Sequence, residues 1–129
     1  MNDSIETSER EAIDPAEAAI RTAGADKAPR VTPADIESEI TSEHYFTAAE
    51  GADMADPEMT DKNMPQALKL LTFCVLVLRN GFTVTGESAC ASPENFNAQI
   101  GRRIARDAAV SKVWPLLGFR LRDRLTAVN

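Results

Sequence analysis

Residues 72–119 read TFCVLVLRNGFTVTGESACASPENFNAQIGRRIARDAAVSKVWPLLGF, and this stretch decides the fold. The apolar run Leu68 to Leu78 leads into Arg79-Asn80-Gly81-Phe82, and Phe82 to Ala89 then alternates in polarity. Asn-Gly between two such runs signals a β-hairpin with a type I′ turn, whose two central residues both need positive φ. A two-residue turn sets Val77 opposite Val84 and Cys74 opposite Glu87. Ser92-Pro93-Glu94 reads as a helix start: a capping hydroxyl, a proline in the first turn and an acid at the positive end of the dipole. Phe96, Ile100, Ile104, Ala108, Ser111, Trp114, Leu117, Leu121 and Leu125 follow at spacings of four and three, which predicts one amphipathic stripe with Trp114 as a core anchor. Pro115 should kink or break that helix, giving segments near 93–114 and 116–126.

Upstream, Thr32-Pro33 predicts a helix over about 33–42, Thr32 as cap, with Ile36, Ile40, Tyr45 and Phe46 as its sparse apolar stripe. Residues 48–65 read as an acidic loop. Residues 1–30 are rich in Ala, Glu, Asp, Ser and Thr and read as a disordered acidic tail, with room for a short helix around Pro15 to Thr22. The expected fold is therefore α+β, a single domain over 31–129. It has a short N-terminal helix, an antiparallel hairpin and a long C-terminal amphipathic helix kinked at Pro115. One face of the hairpin (Phe73, Val75, Val77, Phe82, Val84) is expected to take the long helix, leaving Cys74, Leu76 and Leu78 bare. Because a lone two-stranded sheet is marginal in water, completion of the sheet by a homo-oligomer is expected, with the short helix helping.

The length, 129 residues, fits one domain. The formal net charge of −6 hides a strong asymmetry: residues 1–66 hold 5 Lys/Arg and 16 Asp/Glu, whereas residues 67–129 hold 9 and 4. An acidic leading half thus precedes a basic half that could meet an anion. No apolar run approaches the ~18 residues of a membrane span. The start, MNDSIETSEREAID, has neither the basic nor the apolar region of a signal peptide, so the protein is expected to stay in the cytoplasm where it is made. Cys74 and Cys90 fall on opposite faces of the expected hairpin, which argues against a disulfide and for two buried thiols. His44 stands alone and no CxxC or HxxxH spacing occurs, so neither a metal nor a cofactor is expected.

No residue set suggests catalysis. Ser88, Ser92 and Ser111 have no neighbouring histidine, GESAC is not a GxSxG elbow, and Glu87 and Glu94 read as a solvated strand position and a helix-start acid. The arginines of GRRIAR are the better lead. Arg102 and Arg106 lie four apart on one helix face, with Arg103 beside them, and two guanidiniums at that spacing can straddle a phosphate. Asp107, four residues after Arg103, could neutralise it. The expected helix start at Ser92 offers free backbone amides to an anion, and Asn95 and Asn97 could reach a base or a ribose. The plainer account of these arginines is a solvated helix face. Arg120, Arg122 and Arg124 read as ordinary surface charge. Few exposed aromatics and an acidic tail argue against DNA as partner.

The motifs NGFTVTGESAC, SPENF and IGRRIAR together resemble the small tailed-phage and prophage accessory proteins of the gp-forty-nine/gp-sixty-six family. The resemblance covers residues 66–125, and more faintly Val31 to Ala49. It implies a protein acting on the bacterial host, in that host's cytoplasm, among genes that block defence systems or redirect host enzymes. A second similarity, to anti-Thoeris signal sponges, implies a homo-oligomer sequestering a cyclic ADP-ribose-type or cyclic oligonucleotide signal. Phe82, Asn95, Arg102 and Arg106 would be the contacting side chains. The competing expectation is a protein–protein inhibitor of a host defence complex, anti-CRISPR-like, whose acidic N-terminal half mimics nucleic acid.

Overall fold

The computed structural model describes residues 14–127, and the chain divides into two units, Met1–Arg30 and Val31–Asn129. In the first, helix α1 (Pro15–Ala23) forms where the sequence leaves room for one. Asp14 caps it, accepting from the Ala16 N–H at 2.7 Å, and Gly24 ends it in the left-handed region. Arg30 folds back on Glu17 in a bidentate pair at 2.7 and 3.1 Å. The expected disordered tail lies, for residues 1–13, outside the described residues.

The second unit opens with α2 (Pro33–Glu39), started by a reciprocal capping box between Thr32 and Asp35 at 2.8 and 3.2 Å. The chain then extends into a strand, β1 (Ile40–Thr47), where the sequence reading continued the helix. A second capping box, Thr47 with Glu50, starts α3 (Ala48–Ala55), so half of the expected acidic loop is helical. A short α4 (Gln66–Lys69) precedes β2 (Leu71–Leu78) and β3 (Thr83–Ala89). After a single 3₁₀ turn (Pro93–Asn95) comes the 30-residue helix α5 (Ala98–Ala127). The helix cap is Asn97, whose Oδ1 accepts from the Ile100 N–H at 3.0 Å, rather than Ser92. The helix runs unbroken through Pro115; the bond that proline cannot make is to the carbonyl of Ser111, and Pro115 is exposed.

The sheet is three-stranded and antiparallel in the order β1-β2-β3, so the third strand comes from the same chain and not from a second copy. The hairpin register differs by one residue from the expected one: Cys74 pairs with Gly86 and Leu76 with Val84. Of the loop residues only Gly81 has positive φ, 88°, which excludes a type I′ turn. Leu78 and Phe82 close a three-residue loop instead, with the Leu78 N–H donating to the Phe82 carbonyl at 2.8 Å and the Gly81 N–H to the Leu78 carbonyl at 2.8 Å. This register reverses the covered face. Thr72, Cys74, Leu76, Leu78 and Val84 are buried beneath α5, while Phe73, Val75 and Val77 are half-buried on the open side. On that side Phe46 of β1 stacks on Phe73 with centroids 5.5 Å apart.

The stripe that α5 buries is Gly101, Ala105, Ala109, Val113 and Leu117. It is small over its first three members and shares only Leu117 with the stripe expected; Ile100, Ile104 and Trp114 stand 58 %, 50 % and 36 % exposed. Small residues bring the helix backbone onto the sheet. At Gly86 a Cβ would lie 2.1 Å from the Ala105 carbonyl oxygen and 2.4 Å from the Ala109 nitrogen, so only glycine fits. Gly101 sits over Thr72 in the same way, with 3.0 Å available to a Cβ. The core between these surfaces comprises Ile36, Cys74, Leu76, Leu78, Val84, Ala105, Ala109, Val113 and Leu117.

Gly86→Ala is therefore expected to cost about 3 kcal/mol or more, the upper range of overpacking, in urea unfolding. Gly118→Ala, on the same helix but with nothing within 4 Å of the added Cβ, is expected to stabilise by about 1 kcal/mol from helix propensity alone. Equal effects of the two would contradict the close approach.

Candidate functional site

Three clefts in the second unit hold most of the side chains singled out from the sequence. The first lies at the hairpin mouth, about 250 Å³ lined by Glu39, Leu78, Asn80, Phe82, Leu116, Leu117 and Arg120. Glu39, the last residue of α2, is 6 % exposed. Its carboxylate accepts from both terminal nitrogens of Arg120 at 2.9 and 3.0 Å. Burial of a carboxylate is tolerable only with such a partner, so Arg120 is a structural arginine and not the surface charge it resembles in sequence. The same hydrogen bonds hold the Glu39 carboxyl below its ordinary value. Arg79 ties the loop to the end of α2, donating from its backbone to the Glu39 carbonyl at 2.9 Å and from its guanidinium to the Ser38 carbonyl at 2.6 Å. Phe82 is left at the rim, 56 % exposed.

The second cleft flanks α5 on the side of β1, about 230 Å³ lined by Glu37, Ile40, Thr41, Ser42, Glu43 and Arg106. Arg106 spans it. Its Nε donates to Glu43 at 2.6 Å and its Nη2 to Glu37 at 2.9 Å, which raises the guanidinium's pKa despite its burial. Arg106 thus meets two carboxylates here, while Arg102 and Arg103 on the preceding turn are exposed and form no ion pair among the described residues. Asp107 does not neutralise Arg103.

The third cleft, about 280 Å³, lies against the end of β3 and is lined mainly by Leu70, Cys90, Phe96, Ile100 and Ile104, with Asn95 and Asn97 at its edge. The Asn97 oxygen is committed to capping α5. Ser92 makes no side-chain cap bond; its carbonyl accepts from the Cys90 thiol at 3.2 Å. Both cysteines are free, Cys74 buried and Cys90 half-buried. The observed register, with the Cys90 N–H on the Leu70 carbonyl, puts them on the same face rather than opposite ones. Four strand positions, roughly 13 Å, separate them, too far for a disulfide. Burial also pushes the Cys74 thiol up, and Tyr45 beside it is pushed up to about 12 by its own burial and by Glu43.

The seven candidate ligand residues therefore occupy separate places: Phe82 in the first cleft, Arg106 in the second, Asn95 and Asn97 at the third, Ser92 on the 3₁₀ turn, and Arg102 and Arg103 on the exposed helix. Sequence reasoning missed Glu39 and Arg120, since a carboxylate and a guanidinium 81 positions apart give no local signal. Among the described residues no group of three or more His, Cys, Asp or Glu side chains could hold a metal, and no helix is long and apolar enough to cross a membrane.

This arrangement, a three-stranded sheet backed by one long arginine-bearing helix, defines a small α+β protein. Residues 31–125 match the model of the Phage protein (N4 Gp49/phage Sf6 gene 66) family, and the chain belongs to that family. No curated protein and no solved structure matches it.

The Glu39–Arg120 pair gives a pH signature. Since the folded carboxyl lies below its ordinary value of 4.5, the pair's contribution is present above that value and lost as pH falls through the folded one. Urea unfolding between pH 7 and 3 should show the wild type's advantage over Glu39→Gln at neutral pH shrinking as the pH falls. A stability difference independent of pH would contradict the assignment.

Proposed function

We propose that this phage accessory protein works by non-covalent capture of a small anionic nucleotide, of cyclic ADP-ribose or cyclic oligonucleotide type, in the host cytoplasm and without catalysing a reaction. The observation that carries this reading is the pair of exposed guanidiniums, Arg102 and Arg103, on the first turns of a long helix, with no carboxylate paired to either among the described residues. Guanidinium forks match phosphate oxygens in geometry and charge. Arg106, one turn on, can join them. Its partners Glu37 and Glu43 are 60 % and 41 % exposed, and ion pairs to such solvated carboxylates are worth only ~0–1 kcal/mol, so a phosphate can exchange for them.

The reach of α5 bears on assembly. From Arg102 to Arg120, which shares its cleft with Phe82, the helix rises about 27 Å at 1.5 Å per residue. One nucleotide cannot span that within a single chain, so a site using Phe82 and Arg102 together takes them from two copies in a homo-oligomer. A second reading is favoured by the exposed carboxylates of Asp53, Asp56, Glu58 and Asp61 after the sheet's first strand. In it, the acidic half masks a basic surface on a host defence complex.

Calorimetry with cyclic ADP-ribose and a cyclic dinucleotide tests the first reading. Arg102→Ala and Arg103→Ala should each weaken binding by ~1.5–3 kcal/mol, the range for charge-assisted hydrogen bonds. Both should leave unfolding unchanged, because the buried stripe of α5 is untouched. A chain of residues 31–129 should retain binding, and sedimentation of the wild type should show more than a monomer. Absence of binding, together with an anti-defence effect undiminished in the double variant and lost when Asp53, Asp56, Glu58 and Asp61 are replaced by Asn and Gln, would overturn capture in favour of mimicry.

A further inference from the structure

The cleft at the hairpin mouth combines parts that a structural strut would not need. Its floor is a buried carboxylate, Glu39, 6 % exposed and gripped by Arg120 at 2.9 and 3.0 Å. Leu78 and Leu116 form apolar walls, and the Phe82 ring stands at the rim, 56 % exposed, above about 250 Å³ of open space. The Asn80 carboxamide is oriented by its own loop: its oxygen accepts from the Phe82 N–H at 3.0 Å, which leaves the amide NH₂ to donate elsewhere.

From these parts we infer that the cleft is a subsite for a planar heterocycle carrying an exocyclic amine, an adenine-type base. The inference rests on the nucleotide-capture reading and adds the base to the phosphate. The ring stacks on Phe82 between the leucine walls, as bases do on exposed aromatics. Each Glu39 oxygen accepts one bond from Arg120 and keeps a second lone pair, so the exocyclic N–H donates to the carboxylate. The Asn80 NH₂ donates to a ring nitrogen. A carbonyl in place of the amine would set two acceptors face to face over a buried charge, and sites built this way reject the mismatched analogue strongly. Specificity for an amine over a carbonyl is therefore built into the floor, and stacking at the rim serves any base.

The probe is adenosine, which has no phosphate and so reads the cleft independently of Arg102 and Arg103. In NMR titrations of the full chain, adenosine should shift the methyl resonances of Leu78, Leu116 and Leu117, and inosine should bind at least tenfold more weakly. Phe82→Ala should weaken adenosine about tenfold or more, while Lys112→Ala, at an exposed position of the same helix, should bind adenosine as the wild type does. Unmoved leucine resonances, equal binding of adenosine and inosine, or undiminished binding in Phe82→Ala would each overturn the subsite. The inosine comparison needs no variant, so it holds even if a substitution harms folding. Arginine-dependent binding of a cyclic dinucleotide alongside silent adenosine would remove this inference and leave the capture reading intact.

Discussion

The contact on which the rest of the structure depends is between two stretches of backbone. At Gly86 the chain of β3 comes so close to α5 that a methyl group would collide with the Ala105 carbonyl and the Ala109 nitrogen. An approach this short demands a helix face without bulk, which Gly101, Ala105 and Ala109 supply, and the larger Val113 and Leu117 follow toward the hairpin mouth. It also fixes the strand register. With Cys74 opposite Gly86, the side chains of Thr83, Thr85 and Glu87 point away from the helix and are exposed. A slip of one residue would set Glu87 on the covered face opposite Cys74 or Thr72, an unpaired charge in the core. The three-residue loop at Gly81 and the bare Cα at Gly86 are thus two ends of one requirement.

The asymmetry of charge along the chain is in part an internal fastening. The carboxylates of Glu37, Glu39 and Glu43, all on α2 and β1, meet Arg106 and Arg120 on α5. These pairs differ in kind. Arg120 reaches a carboxylate with 8 % of its side chain exposed, whereas Arg106 reaches two that are well solvated. The first holds the end of α2 against the helix; the second lies where solvent screens it. Acidic and basic segments of the sequence therefore do not correspond simply to acidic and basic surfaces.

The sequence showed the hairpin and its Asn80-Gly81 turn region, the Thr32-Pro33 helix start, the long C-terminal helix and the α+β class, because each has a strong local signal. It did not show β1. Ile36 and Ile40 lie at helical spacing, the pairing is shifted between Ile40 and Ser42, and only the density of β-branched and aromatic residues in ITSEHYFT marks a strand. The buried face of α5 was misread because apolar periodicity weighs isoleucine and tryptophan above glycine and alanine, while close packing selects the reverse. Of the candidate site, the exposed state of Arg102 and Arg103 was legible from the sequence. The carboxylates on Arg106 and the Glu39–Arg120 pair were not, since they join segments far apart in the chain.

Burial along the long helix is uneven. Its last buried residue is Leu117, opposite the hairpin end of the sheet, and Arg120 is gripped by Glu39 one turn later, yet α5 continues to Ala127. Past Leu117 burial falls away among the described residues: Leu121 is half-buried and residues 122–127 are exposed. Amide exchange should therefore be graded along a single helix: slow where the small-residue stripe meets the strands, and faster in the exposed turns after Arg120.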